Sequence, residues 1–206
     1  MQFYAITNSA SLASTLTQRI EALCRLASGW AESGVEYLQI REKDLTPGEL
    51  EKLSRRIIDR VRGGRTRVLV NGRADVALAA GAHGVHLPGG EQLLPSEVRR
   101  LFHENGEAEP VVSISCHSLE EAMAAQADGV SVILFGPIFG KQIKGGELQG
   151  VGLAALSKVC AAVSPLPVFA LGGVTLQNAK ECIEVGAAGA AAIRMFASQE
   201  WKLLRA

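Results

Sequence analysis

VVSISCHSLEEAMAAQA, residues 111–127, is a strand that runs directly into a helix. Val111 to Cys116 is apolar and β-branched enough to be a buried strand. Ser118 to Glu121 has the S-x-x-E spacing of a capping box, with Ser118 as N-cap and Glu121 reaching back. A single residue, His117, fills the junction at the strand's C-terminal end. Outward from this unit the same alternation recurs. Strands are expected at 3–7, 37–41, 67–71, 84–87, 111–116, 131–136, 167–171 and 189–194. Helical patterns lie near 15–33, 47–62, 73–81, 95–104, 118–127, 151–163 and 175–185, with a short eighth starting at Ser198.

Most of these strands lack polar alternation, as expected when helices cover the sheet. Eight βα units without a long linker point to one α/β domain spanning residues 1–206, a compact single-domain (β/α)8 TIM barrel. An open doubly wound sheet fits less well, because eight units are the number that closes a barrel. The 206 residues fall short of the roughly 250 usual for this fold.

Composition narrows the partners. Lys and Arg total 21 and so do Asp and Glu, so no net charge draws the chain toward nucleic acid or an acidic membrane. Any anion has to be caught locally. The four cysteines, Cys24, Cys116, Cys160 and Cys182, show neither CxxC nor zinc spacing, as suits free thiols in a reducing compartment. No apolar run approaches the roughly 18 residues of a membrane span. The expectation is a cytoplasmic protein acting on a small molecule, with a homo-oligomer left open.

Barrel enzymes build their sites at strand C-termini. The polar residues expected there are Gln39, Arg41 and Lys43 after strand two, Asn71 after three, His117 after five and Lys144 after six. The Gly172–Gly173 turn follows strand seven, and Ile193–Arg194 ends strand eight. A glycine turn leading into the helix at 175–185 offers backbone N–H groups to a phosphate; it also suits a tight turn that needs positive φ. Gln39 and Arg41 alternate, so both face one side, while Arg41, Glu42 and Lys43 also read as a solvated charged loop. Lys144 lies in a glycine-rich stretch, either closing over a phosphate or simply exposed. His86 sits within a strand, opposite in facing to Val85 and Leu87, as a structural histidine would. His117 reads either as a turn residue hydrogen-bonding the barrel rim or as a candidate for proton transfer, since an unperturbed imidazole titrates near 6.5 and works in both directions around neutrality.

Taken in order, YLQIREKDL, VLVNGRADVALAAGAHGVHLP, SISCHSLEEA, VILFGPIF, KGGELQGVGLAAL and VFALGGVTLQNAKECIEVGAAG resemble the thiamine phosphate synthase superfamily over residues 3–196. The resemblance implies a (β/α)8 barrel and one of two activities. Synthases of this superfamily join a pyrimidine pyrophosphate to a thiazole phosphate with Mg²⁺. They hold the metal with an aspartate that follows the strand-three asparagine and with a second acid after a His-Leu-Gly-Gln motif. Here Asn71 is followed by Gly72. The second motif reads His86-Leu87-Pro88-Gly89-Gly90-Glu91, leaving Glu91 as the one substitute. The thiazole tautomerase branch has Asn-Gly-Arg, a Leu-Pro loop and Ser-x-His-Ser-Leu-Glu-Glu-Ala at these places, and its histidine transfers the proton. The resemblance therefore implies a thiazole tautomerase with His117 as catalytic residue, needing neither metal nor cofactor. Gln39, Arg41, Lys43, Asn71, Lys144, Gly172, Gly173, Ile193 and Arg194 would bind the thiazole phosphate. A Mg²⁺-dependent synthase and a non-catalytic thiazole phosphate-binding regulator are the alternatives. The strand-eight position is often serine in the superfamily and is Arg194 here.

Overall fold

The structure, a computed structural model, describes residues 1–13, 15–90, 93–143, 146–198 and 200–205. Eight parallel strands close into a barrel: β1 (Gln2–Ile6), β2 (Tyr37–Ile40), β3 (Arg67–Asn71), β4 (Gly84–Leu87), β5 (Val111–Cys116), β6 (Val132–Phe135), β9 (Val168–Leu171) and β10 (Gly189–Ala192). A two-stranded hairpin, β7 (Lys141–Ile143) with β8 (Gly146–Leu148), follows β6. Around the barrel run α1 (Leu16–Glu32), α2 (Pro47–Val61), α3 (Ala74–Ala80), α4 (Pro95–Glu104), α5 (Leu119–Ala127), α6 (Gly152–Ala162), α7 (Ala179–Glu184) and α8 (Arg194–Ala197). Closure is made by β1 on β10, with Phe3 opposite Ala190 and Tyr4 opposite Ala191.

The strands divide their side chains between two cores. Outward-facing Leu38, Ile40, Val68, Val70, Val85 and Leu87 pack under the helices. Inward-facing Tyr4, Ile6, Leu69, Val132, Leu134, Phe169 and Ala191 fill the barrel. Tyr4, Tyr37 and Phe169 form a triangle of rings with centroids 5.5 to 5.8 Å apart, a close-packed floor beneath the mouth.

Four sequence expectations need correction. Strand eight stops at Ala192, so Arg194 does not end it; Arg194 opens α8 and is exposed. Helix α7 starts at Ala179, not Thr175, because Asn178 accepts from the Thr175 N–H at 2.8 Å and its own N–H bonds the Thr175 hydroxyl at 3.3 Å. That local turn competes with helix for the same backbone. The eighth helix does not begin at Ser198. It is split into α8 and a 3₁₀ segment, Glu200–Arg205, which buries Trp201 against Gly29 of α1. The stretch after strand six is a hairpin at 141–143 and 146–148 rather than an open glycine-rich loop.

Candidate functional site

The barrel interior changes character toward the C-terminal ends of the strands. From β6, β9, β10 and β1 it presents Leu134, Leu171, Ile193 and Ile6. From β2 to β5 it presents Gln39, Asn71, His86, Ser113 and Ser115. The mouth therefore has one apolar half and one polar half.

The polar half is largely cross-bonded. His86 is buried, with Nδ1 2.9 Å from the Ser113 hydroxyl and Nε2 3.0 Å from that of Ser115. Ser113 also pairs with the Tyr4 hydroxyl at 2.9 Å. Burial, and then the Arg41 charge, push the His86 pKa down to about 3, so the ring is neutral at pH 7. It organises Ser115 rather than shuttling protons. Gln39 is buried and donates Nε2–H to Asn71 Oδ1 at 2.8 Å, while its Oε1 has no partner.

His117 stands apart from that network. Ser118 caps α5 by accepting from the Glu121 N–H at 3.2 Å, as the spacing suggested. The Glu121 carboxylate, however, reaches one residue further than a capping box requires. It accepts the backbone N–H of His117 at 2.6 Å. The imidazole Nδ1 bonds the Gly136 carbonyl at the end of β6. A carbonyl only accepts, so Nδ1 carries a proton, and in the neutral ring the lone pair is on Nε2. The side chain is exposed and held at backbone and ring, and its Nε2 has no partner among the described residues. The neighbouring Cys116 points to the outer core, and burial pushes its thiol up to about 12, which removes it as a competing nucleophile.

After β2, the Arg41 N–H donates to the Thr7 hydroxyl at 2.9 Å, and the residue is half-buried beside the mouth. Lys43 is exposed further along the loop. The charged-loop reading fails for Glu42, which is buried. After β9, Gly172 and Gly173 have φ of 93° and 68°. A Cβ on Gly172 would lie 2.6 Å from Pro137 Cα, and one on Gly173 2.6 Å from the Phe139 Cβ. Left-handed backbone and close packing both require glycine there. Ile193 lies across from this turn at the top of the barrel, extending the pairing of Leu171 with Ala191. Lys144 and Glu91 lie outside the described residues. Ser113, Ser115, Thr7 and Ser9 were not picked out by the sequence, although Ser113-x-Ser115-x-His117 has the period of two that places all three on one side.

The family described as "Thiamine monophosphate synthase" matches residues 3–196. The chain belongs to that family. It is 42% identical over 160 residues to the thiamine-phosphate synthase of Anaeromyxobacter dehalogenans, covering 78% of this chain and 69% of that one. It is 35% identical over 196 residues to the thiamine-phosphate synthase of Methanosarcina barkeri, covering 94% and 81%. The fold is that of thiamine phosphate pyrophosphorylase from Pyrococcus furiosus, with a TM-score of 0.80 at 24% identity over 99% of this chain and 92% of that one. The barrel thus belongs to a family of thiamine-biosynthesis enzymes. No helix among its described residues is long and apolar enough to cross a membrane.

A synthase of this family implies Mg²⁺, a hard ion that wants carboxylate oxygens. The described residues lining the mouth supply amides, hydroxyls, a neutral imidazole and the Arg41 guanidinium, while the nearby carboxylates of Glu42, Asp44 and Glu121 are taken up by Ser9, Arg19 and the His117 N–H. Among the described residues there is no group of three or more His, Cys, Asp or Glu able to hold a metal. Position 72, next to Asn71, is a glycine. The donor set of these described residues does not fit Mg²⁺.

Proposed function

We propose that this chain is a thiazole tautomerase of thiamine biosynthesis. Its substrate would be a dihydrothiazole carboxylate carrying an ethylidene phosphate. The reaction moves one proton from ring C2 to the exocyclic carbon and yields the aromatic carboxythiazole ethyl phosphate. The observation that carries this reading is a positioned base, His117, whose Nε2 has no partner among the described residues, together with Gly72 where the synthases place an acid.

In this mechanism Nε2 of His117 takes the C2 proton. The electron pair moves through the ring to the exocyclic double bond, and the imidazolium returns the proton to that carbon. No atom or electron is gained or lost. Glu121 holds the His117 backbone and the Gly136 carbonyl holds the ring through both transfers, and the imidazolium donates through Nδ1 as before. The thiazole lies on the apolar half of the mouth, with Arg41 toward its carboxylate. The phosphate goes to the Gly172–Gly173 turn, with Ile193 beside it and Lys43 and Arg194 as described cations; Lys144, expected to assist, lies outside the described residues. Aromatisation makes the step downhill, so general acid–base catalysis of roughly 10²–10⁴-fold suffices.

The names of the relatives favour a second reading, a Mg²⁺-dependent thiamine-phosphate synthase. That activity would need Glu91 at the second acid position and another acid in place of the missing aspartate at Gly72. One assay separates the two. The purified protein is given the dihydrothiazole in the presence of a chelator, then the aromatic thiazole phosphate with pyrimidine pyrophosphate and Mg²⁺. Aromatisation in chelator without coupling is the expected result. Pyrophosphate release that depends on Mg²⁺, without aromatisation, would overturn the proposal in favour of the synthase.

A further inference from the structure

Glu42 stands between two residues assigned to the site, yet it is only 6% exposed. Its carboxylate accepts the Ser9 N–H at 3.1 and 3.0 Å and the Ser9 hydroxyl at 2.5 Å. The Arg19 guanidinium lies 3.7 Å away. Arg19 in turn donates Nε–H to the Ser9 hydroxyl at 2.9 Å and pairs with Asp44 at 2.6 Å. The Ser9 hydroxyl thereby donates to Glu42 and accepts from Arg19. Ser9 and Arg19 belong to the β1–α1 connection and the first turn of α1, while Glu42 and Asp44 belong to the β2–α2 loop. The cluster therefore ties two neighbouring loops of the mouth together.

The tie continues inward. The Thr7 N–H donates to the Gln39 carbonyl at 3.0 Å, and the Arg41 N–H donates to the Thr7 hydroxyl at 2.9 Å. Residues 39–42 thus run alongside 7–9 with alternating facing. Gln39 points into the barrel, Ile40 into the outer core, and Glu42 onto Ser9. With Glu42 pinned on one side, Arg41 is left to the other, over the mouth. A buried apolar residue at 42 would fill the space without choosing a direction. A carboxylate that has to meet Ser9 N–H, Ser9 O–H and a guanidinium chooses one, since an unpaired buried charge is costly.

We propose that Glu42 is a positioning residue: by holding Ser9 and Arg19, it keeps Arg41 turned into the barrel mouth to receive the substrate's carboxylate. The identity of that carboxylate rests on the tautomerase reading; the loop geometry does not.

The test uses the full-length chain and its Glu42→Ala, Glu42→Gln and Arg41→Ala variants. Calorimetry compares carboxythiazole ethyl phosphate with the same molecule lacking its carboxylate. Glu42→Ala is expected to weaken the carboxylated ligand by about tenfold and to leave the other nearly unchanged. Glu42→Gln is expected to fall between, since its amide oxygen still accepts from Ser9. In the Arg41→Ala background, Glu42→Ala should add nothing. Equal loss for both ligands, or additive losses, would overturn the proposal. So would a crystal structure of Glu42→Ala with Arg41 unmoved beside His86. If Arg41 turns away in that crystal structure but the wild type shows no preference for the carboxylated ligand, the positioning stands and the tautomerase reading falls. Should Glu42→Ala fail to fold, Ser9→Ala takes its place, with a smaller loss in the same direction.

Discussion

A side chain on residue 89 would set its Cβ 3.1 Å from Nε2 of His117, and 3.5 Å from the carbonyl oxygen of Ser115. The Pro88–Gly90 turn after β4 therefore lies directly against the nitrogen that the mechanism uses. This is also where the chain departs from the Gly-Gln pattern of the synthases. A bare Cα leaves Nε2 the room to meet a ring carbon. Gly89→Val is expected to lower kcat roughly ten- to a hundredfold, because displacement of a reacting group by about 1 Å has that effect. Affinity for the carboxythiazole phosphate product should change little. Unchanged kcat would show that the turn does not border the reacting atoms.

The buried neutral state of His86 makes stability depend on pH. Its folded pKa is about 3, below the 6.5 of the unfolded chain. Between these values the unfolded state binds the extra proton, so stability is full above about 6.5 and is lost as pH falls toward 3. The slope is about 1.4 kcal/mol per pH unit for one group. His83 is also lowered, mainly by burial, while its Nδ1 accepts the Val68 N–H at 3.0 Å; it adds in the same direction. Urea unfolding at pH 7 and pH 5 is expected to show lower stability at pH 5. His86→Asn, if it folds, should flatten that dependence. Equal stability at both pH values would contradict a neutral buried ring.

Gln39 carries an unpartnered buried Oε1 while its Nε2 serves Asn71. Turning both amides over preserves the bond between them and converts the unpaired atom from an acceptor to a donor. The substrate is rich in acceptors, so the turned form suits it. Gln39→Leu is expected to change stability by less than about 1 kcal/mol, since it removes an unsatisfied buried group together with one hydrogen bond. It should weaken product binding roughly tenfold, or about 1.4 kcal/mol. Calorimetry reads the second effect and urea unfolding the first.

Docking of the C-terminal segment on α1 has its own test. A Cβ on Gly29 would come within 2.4 Å of Trp201 Cη2. Gly29→Ala is expected to destabilise the protein by about 1–3 kcal/mol through overpacking of the C-terminal segment. Activity per folded molecule should stay intact, because Trp201 lies in the helical layer, away from the mouth. A neutral urea midpoint would mean that the segment repacks freely.

The barrel was legible because strand and helix periods differ and eight repeats leave one closed solution. His117 was legible for a local reason: a strand end and an N-cap one residue apart leave a single junction position. The elements that failed did so where side chains outbid the backbone pattern. Thr175 and Asn178 bond each other and delay α7. Arg194 reads as strand until the barrel's end forces a turn after Ala192. The hairpin at 141–148 was hidden in glycines, although Gly145-Gly146 between short polar–apolar pairs is a turn signal. Glu42 looked like solvated charge because its partners, Ser9 and Arg19, are 33 and 23 positions earlier in the chain, and no local pattern links them. Ser113 and Ser115 passed as strand residues, since their partner His86 is on the neighbouring strand.

The most direct measurement is the initial rate of aromatisation of the dihydrothiazole carboxylate phosphate, in chelator, by the wild type and by His117→Gln. The wild type is expected to exceed the uncatalysed rate. His117→Gln, which keeps size and polarity but cannot shuttle a proton, is expected to lose roughly 10²–10⁴-fold while still binding the product. Full activity in His117→Gln would contradict the assignment of the base. No aromatisation by the wild type would contradict the tautomerase function itself.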